Sequence, residues 1–177
     1  MRVKLKEPSA PDEAGFLEAA HRSRTFLRRW AAPPSTSDAY RAYLERLTKP
    51  AHEARFVVLR ESGELVGVIN VNEIVRGSFH SAYLGYYAFV PHVGHGYMTE
   101  GLALALRWVF GDLRLHRVEA NIQPGNEPSR ALVRRLGFRC EGLSPRYLKI
   151  AGRWRDHERW ALTVEDWRAN RVKTSAP

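Results

Sequence analysis

Two glycines separated by one residue, Gly94 and Gly96, lie between an extended run that ends at Val90 and a helical pattern that begins near Met98. Glycine lets the backbone approach a ligand closely and adopt positive φ angles. The start of the following helix presents main-chain N–H groups and a partial positive charge, so such a loop can hold a phosphate. No Gly-Lys-Ser/Thr follows, so this is not a Walker-type loop, and the third glycine of the dinucleotide fingerprint is missing. Nucleotide hydrolysis is therefore not indicated. The alternative is a purely structural glycine turn.

A second polar segment follows one strand later. It reads Asn126-Glu127-Pro128-Ser129 and continues to Leu136-Gly137-Phe138. The amide of Asn126 and the hydroxyl of Ser129 can both hydrogen bond to a ligand. The alternative for each is a role in starting or capping the helix, where both residue types are favoured.

The elements that must position these residues alternate between helical and extended patterns. Helices are predicted at residues 12–30, 38–50, 98–110 and 129–136, the last closed by Gly137. Strands are predicted at residues 56–59, 65–71, 83–90, 118–122 and across 138–164, with turns at Ser62-Gly63 and Ala151-Gly152. This order predicts an α/β (α+β) fold around one sheet, as a single domain over residues 1–177 with a loose tail at 173–177.

The composition is that of one folded domain: 177 residues, 44% hydrophobic and 27% charged. No apolar run approaches the roughly 20 residues of a membrane-spanning helix, and the N-terminus lacks the pattern of a secretory signal. We therefore expect a cytoplasmic protein without membrane contact. The lone cysteine, Cys140, excludes an intramolecular disulfide, and no Cys/His cluster has zinc-ligand spacing, so no metal is expected.

The net charge of +9 and the pI near 10.1 favour an anionic partner, such as RNA, a ribosomal surface or a phosphorylated cofactor. The basic residues are spread along the chain, so solvated surface arginines are the alternative. The same charge argues against a polycationic substrate.

Taken in this order, the Gly-x-Gly loop, Asn126-x-x-Ser129 and Leu136-Gly137-Phe138 resemble the GNAT superfamily of acetyl-coenzyme A (acetyl-CoA) dependent N-acetyltransferases. Other segments look like the RimJ/RimL type, the ribosomal-protein N-terminal alanine acetyltransferases, so the similarity covers most of the chain. Those segments are residues 23–30, 117–121, 141–142, 147–157, 161–163 and 166–167. The resemblance implies a mixed, mostly antiparallel sheet flanked by about four helices, with strands splayed apart at the cofactor site.

For the cofactor, the resemblance implies that main-chain amides of the loop hold the pyrophosphate of coenzyme A (CoA). The loop residues concerned are His92, Val93, Gly94, His95, Gly96, Tyr97, Met98 and Thr99. Phe89 and Val90 are assigned to strand-like pairing with the pantetheine arm, and Asn126 to a side-chain hydrogen bond with it. Where the superfamily usually has Gln or Arg, this chain has Pro91, which removes a side-chain contact but leaves the amides.

For the chemistry, the resemblance implies attack of a neutral amine on a thioester in a ternary complex. An α-amino group has a pKa of roughly 8, so a base must help to remove its proton. We rank Glu119 before Asp156 for that role, with a structural ion pair as the alternative for each. Many relatives protonate the leaving thiolate with a tyrosine at the position of Val133; Ser129 is the substitute proposed here, both as catalytic group and as cofactor contact. A strand amide near Phe89 would hold the oxyanion.

The function expected from the resemblance is acetyl transfer to the N-terminal amine of a protein, most plausibly a ribosomal one, with the basic surface approaching ribosomal RNA. One alternative is acetylation of a small amine or amino acid. Another is a catalytically silent basic RNA-binding module, which the loss of the tyrosine and the Pro91 departure would allow. The sequence leaves a monomer and a homodimer both open.

Overall fold

The computed structural model describes residues 1–150 and 152–175, and side chains at 1–150 and 152–170. Its helices are α1 (Glu13–Arg22), α2 (Arg24–Leu27), α3 (Ser37–Leu47), α4 (Tyr97–Gly111), α5 (Glu127–Arg135) and α6 (Val164–Ser175). Its strands are β1 (Val3–Lys6), β2 (Glu53–Leu59), β3 (Leu65–Val75), β4 (Ser81–Ala88), β5 (Arg117–Ile122), β6 (Arg139–Ile150) and β7 (Arg153–Thr163). Within this described part, the strands form a seven-stranded, mostly antiparallel sheet in the order β1-β2-β3-β4-β5-β7-β6. The predicted fold class is therefore confirmed.

The chain divides into two compact units, and the first comprises residues 1–72 and 85–106. In this unit β1, β2 and β3 form an antiparallel ladder that places Val3 opposite Leu59 and Phe56 opposite Val68. The predicted hairpin is present, and Gly63 in its turn has a φ of +77°, a conformation that glycine adopts without strain.

Phe16 of α1 is the centre of the aromatic core of the first unit. The side chain is fully buried, and its ring contacts Tyr40, Tyr43, Phe56 and Phe89 at centroid distances of 5.0 to 6.2 Å. Burying one such ring stabilises the fold by about 1.5–3 kcal/mol. Because Phe89 immediately follows β4, this core fixes the point at which the chain leaves the sheet for the Gly-x-Gly loop.

Two buried glycines bring α4 close to the strands of the first unit. A Cβ at Gly101 of α4 would lie 2.7 Å from a methyl carbon of Val57, and a Cβ at Gly67 of β3 would lie 2.4 Å from the Tyr87 carbonyl oxygen and 2.7 Å from the Met98 sulfur. A larger residue at either position would force the helix start and the strands apart. The beginning of α4 is therefore held by close backbone packing.

The second unit comprises residues 73–84 and 107–177. Ser81–Tyr83 of β4 pair in parallel with Arg117–Glu119 of β5, and β5 then pairs antiparallel with β7, which pairs with β6. Alternate residues of β5, from Val118 to Ile122, are buried. The residues between them, Arg117, Glu119 and Asn121, share the opposite face because side chains alternate along a strand.

The predicted helix over residues 12–30 is interrupted in the structure. α1 ends at Arg22, Ser23 leaves helical geometry with φ −93° and ψ 0°, and α2 continues for one turn. Ser23 is fully buried, and its hydroxyl accepts a hydrogen bond from the main-chain N–H of Val90 at 3.0 Å. The helical spacing of apolar residues continues through this break, which is why periodicity alone predicted one long helix.

Residues after Thr163 form α6, a helix that the sequence patterns did not predict. Thr163 Oγ1 and Asp166 hydrogen bond to each other through the Asp166 N–H and carboxylate, as at a helix start. Gly137 has the predicted left-handed conformation after α5, with φ +89°. Ala151, in the predicted β6–β7 turn, and the last two residues of the predicted tail lie outside the described residues.

Candidate functional site

The Gly-x-Gly loop presents a row of main-chain N–H groups at the start of α4. The amides of His92, Thr99 and Glu100 donate to carbonyl oxygens within the loop and the strand end. Among the described residues, the amides from Val93 to Met98 have no hydrogen-bond acceptor. Gly94 and Gly96 have φ angles of +81° and +79° and are exposed. Such a row at a helix N-terminus is suited to an anion with several oxygen atoms.

Arg2 fastens this loop to the start of β1. Its Nε donates to Glu100 Oε1 at 2.7 Å, its main-chain N–H donates to Glu100 Oε2 at 2.6 Å, and its Nη2 donates to the His95 carbonyl at 2.9 Å. The guanidinium also lies 4.6 Å from the centre of the Tyr97 ring. Burial alone would raise the pKa of Glu100, but the hydrogen bonds from Arg2 outweigh it and the pKa is lowered.

The strand end before the loop is already hydrogen bonded within the first unit. Phe89 donates to the Val66 carbonyl at 2.8 Å and accepts from the His92 amide at 3.0 Å. Val90 donates to Ser23 Oγ and accepts from Arg22 Nε, both at 3.0 Å. The predicted pairing of Phe89 and Val90 with pantetheine stays a prediction, and it would have to compete with these four bonds.

Ala88 is the last residue of β4 and directly precedes Phe89. Successive residues of a strand direct their N–H and C=O groups to opposite edges, so Ala88 faces away from the edge at which Phe89 meets Val66. The parallel ladder with β5 stops at Tyr83, five residues earlier. The part of β4 from Leu84 to Ala88 thus lies beyond that ladder.

Asn126 is the N-cap of α5 in the second unit. Its Oδ1 accepts a hydrogen bond from the Ser129 amide at 3.3 Å, so its amide group serves the helix. The side-chain Nδ2 has no partner among the described residues and can still donate. Val133, at the position of the family tyrosine, is fully buried. The roles predicted for Asn126 and Ser129 remain predictions.

Glu119, the first-ranked base, is held by Arg117 at 2.9 Å. The same guanidinium also binds Glu141 of β6. The hydrogen bond from Arg117 is the main reason that the pKa of Glu141 lies below its ordinary value. Two carboxylates share one guanidinium, and Arg139 and Arg159 also lower the pKa of Glu141 by their charge.

Tyr83 lies opposite Glu119 and hydrogen bonds to Tyr147. That bond, followed by burial, raises the pKa of Tyr83 to about 12. Sequence reasoning missed this pair, because nothing in the spacing of residues 83 and 147 indicates contact.

Asp156, the second-ranked base, is exposed, and its Oδ1 accepts from the Arg146 amide at 2.7 Å. The next residue, His157, is 2% exposed, and its Nδ1 lies 2.9 Å from the Arg155 carbonyl. A carbonyl oxygen only accepts, so Nδ1 carries the proton. Burial lowers the pKa of His157. Asp156 thus has a structural contact, and its predicted catalytic role remains a prediction.

Across residues whose placement is described, no three His, Cys, Asp or Glu side chains are grouped as metal ligands would be. No described helix has the length and hydropathy needed to cross a membrane.

The family model for the acetyltransferase (GNAT) domain matches residues 2–139 of this chain. The chain belongs to the GNAT acetyltransferase family. The match includes the loop and α5, and GNAT enzymes take their acetyl group from acetyl-CoA, so the resemblance and the predicted cofactor are confirmed at the level of the family.

Individual GNAT relatives agree with this assignment. The [ribosomal protein uS5]-alanine N-acetyltransferase of Escherichia coli (strain K12) is 45% identical over 108 residues, 61% of this chain and 56% of that protein. The structure of Mycobacterium smegmatis RimJ in complex with CoA-disulfide matches with a TM-score of 0.87 and 29% identity, over 98% of this chain and 88% of that one. The Vibrio fischeri ribosomal-protein-S5-alanine acetyltransferase gives a TM-score of 0.83 and 26% identity, over 94% and 96%.

The E. coli match spans little more than half of that relative's length. Its acceptor and its partners therefore remain proposals for this GNAT chain.

Proposed function

We propose that this protein transfers the acetyl group of acetyl-CoA to the N-terminal α-amine of a protein, and that the acceptor is a ribosomal protein. The observation that carries the proposal is the row of unpartnered amides from Val93 to Met98 at the start of α4, in a chain that belongs to the GNAT family. The thioester supplies the activated acetyl group, and the residues of the chain bind and orient it.

The residues of the loop fit a diphosphate. Gly94 and Gly96 are exposed with positive φ, and an added Cβ at Gly94 would meet no atom within 4 Å, so the space beside the amides is open. N–H groups directed at phosphate oxygens form charge-assisted hydrogen bonds. The N–H and C=O of Ala88 can pair with an amide of the pantetheine arm, and the Ala88 N–H is the strand amide near Phe89 that can hold charge developing on the thioester oxygen.

In the second unit, we propose that Asn126 contacts the pantetheine arm through Nδ2 while its Oδ1 caps α5. The Ser129 hydroxyl orients the leaving sulfur, since the family tyrosine is replaced by the buried Val133. An unperturbed serine is a weak acid, so its contribution is orientation more than proton donation.

The outward face of β5 carries a carboxylate that can accept a proton. Glu119 on this face is held by Arg117, which it shares with Glu141. We propose that Glu119 then receives the amine proton, directly or through a water molecule. Asp156, which accepts from the Arg146 amide, is the second choice for this role.

The ribosomal acceptor is supported by the named activity of the E. coli relative and by exposed basic residues of the second unit. Arg146, Arg153 and Arg155 of β6 and β7 are exposed, and Trp154 beside them is 61% exposed. Arginine next to an exposed aromatic ring suits contact with RNA backbone and bases. Ribosome association at low salt, weakened by Arg153→Gln/Arg155→Gln, would support this part.

The decisive experiment measures thiol release from acetyl-CoA with three sets of acceptors: peptides that begin with Ala or Ser, the same peptides with blocked N-termini, and free amines including polyamines. We expect turnover only with free N-terminal peptides, and a higher kcat/KM for sequences from ribosomal proteins. A higher kcat/KM for free amines than for peptides would show that the acceptor is a small amine and not a protein N-terminus.

A thermal shift with CoA separates enzyme from binding module. Ligand at 100 times its Kd stabilises a protein by about 2.7 kcal/mol. No shift, together with ribosome association, would favour the catalytically silent RNA-binding alternative.

A further inference from the structure

Glu100 poses an electrostatic problem for an anion site at the start of α4. It lies in the first turn of this helix, where a carboxylate interacts favourably with the helix dipole. The same location puts its negative charge beside the amides that would receive a diphosphate. A like charge so close to bound phosphate weakens binding unless it is neutralised.

Arg2 supplies the neutralising charge. It binds through several donors at once, whereas an ordinary exposed ion pair makes a single contact. Three of its donors are engaged: the main-chain N–H and Nε with Glu100, and Nη2 with the carbonyl of His95 inside the loop. The Nη2 atom also lies 2.6 Å from Glu100 Oε1 and would lie 3.4 Å from a Cβ at Gly96. The guanidinium thus reaches the second glycine of the loop.

The rings of the loop complete this arrangement. Tyr97 lies under the Arg2 guanidinium at 4.6 Å and stacks with His95 at 5.6 Å and an interplanar angle of 12°. His95 Nδ1 lies 2.9 Å from the Val93 carbonyl. Arg2 therefore contacts the loop through a carboxylate, a carbonyl and an aromatic ring.

We propose that Arg2 is a positioning residue of the coenzyme site: it neutralises Glu100 and fixes the Gly94–Gly96 turn so that the amides face the diphosphate. The inference rests on the proposed function, because it takes CoA as the ligand.

The experiment measures Kd by calorimetry for CoA and for pantetheine, which has the same arm without phosphate. The protein carries its affinity tag at the C-terminus, so that residues before Arg2 stay native. The variants are Arg2→Gln, Glu100→Gln and the double variant. Arg60→Gln is the matched control, because the Arg60 side chain also binds β1, donating to the Val3 carbonyl at 3.0 Å. Among the described residues it makes no hydrogen bond to the loop.

Arg2→Gln is expected to raise the Kd for CoA about tenfold and to leave the Kd for pantetheine within about twofold of the wild-type value. Glu100→Gln alone should bind CoA at least as well as wild type, because the guanidinium remains and the repelling charge is gone. The double variant should recover most of the loss, since neither charge is left, and Arg60→Gln should bind like wild type.

Three results would overturn the inference: unchanged CoA binding in Arg2→Gln, a double variant that binds CoA as weakly as Arg2→Gln does, or equal losses of affinity for CoA and for pantetheine in Arg2→Gln. The last two would mean that Arg2 only supports the fold. A wild-type protein that binds neither probe would instead contradict the proposed function, and the inference with it.

Discussion

The buried hydroxyl of Ser23 accepts a hydrogen bond from the main-chain N–H of Val90 at 3.0 Å. This bond joins the interruption between α1 and α2 to the residue directly before the Gly-x-Gly loop. Arg22 adds a second bond, from Nε to the Val90 carbonyl. The helix break is thus coupled to the entry of the coenzyme loop, and both peptide groups of Val90 are hydrogen bonded to residues at the end of α1 and at the break after it.

Ser23→Ala should therefore destabilise the protein by about 1–2 kcal/mol, because the Val90 N–H would lose its partner in a partly buried setting. Urea unfolding at constant m-value is the measurement. Ser62→Ala, in an exposed turn, is the control and should change stability by less than about 0.5 kcal/mol. Equal effects of the two substitutions would show that the Ser23–Val90 bond contributes nothing specific.

Gly94→Ala should weaken CoA binding about tenfold, because a methyl group would enter the space in which phosphate oxygens approach the amides. Gly63→Ala is a closely matched control. Both glycines have φ near +80° and no atom within 4 Å of an added Cβ, so both variants carry a similar backbone strain of about 1–2 kcal/mol. Calorimetric titration should show the affinity loss in Gly94→Ala alone. An equal loss in both variants would mean that strain, not the cradle, is the cause.

Local patterns predicted most of the elements and the phosphate-loop candidate. The turn at Gly63, the left-handed Gly137 and the Gly94–Gly96 loop follow from glycine chemistry that neighbouring residues cannot override. The break at Ser23 could not be predicted from a local pattern, because it depends on a hydrogen bond to a residue 67 positions away.

The candidate site shows the same division between local and long-range information. The link from Arg2 to Glu100 spans 98 residues, and that from Arg117 to Glu141 spans 24. Neither leaves a periodic signal in the sequence. By contrast, the start of α6 has a local signal, Thr163 three residues before Asp166, which could have predicted that helix.

Stability should fall as the pH decreases from about 7.5 to about 5.5, a window set by the ordinary histidine pKa of about 6.5. Burial lowers the pKa of His92 and His157 in the folded protein, so the unfolded chain binds protons first as the pH falls. The stabilisation is complete above the unfolded pKa and is lost as the pH falls towards the folded one.

The test compares urea midpoints across that window for wild type and His157→Gln. The His157 variant should show a shallower pH dependence, whatever its absolute stability. A His157 variant with an unchanged slope would exclude this residue as a source of the pH dependence.

Glu119→Gln should lower kcat by about 10²-fold or more if Glu119 receives the amine proton, with little change in the Kd of CoA. Arg117 keeps its bonds to Glu141 in this variant, so the loss should not come from an unpaired guanidinium.

Asp156→Asn is the comparison. The asparagine oxygen can still accept from the Arg146 amide, so this variant removes only the charge of the second carboxylate, and kcat should change a few-fold at most. Steady-state kinetics from pH 6 to 9 with an Ala-initiated peptide would distinguish the two. A large loss in Asp156→Asn and none in Glu119→Gln would move the proton acceptor to β7. Unchanged kcat in both would leave binding and orientation by the loop and Ala88 as the source of the rate.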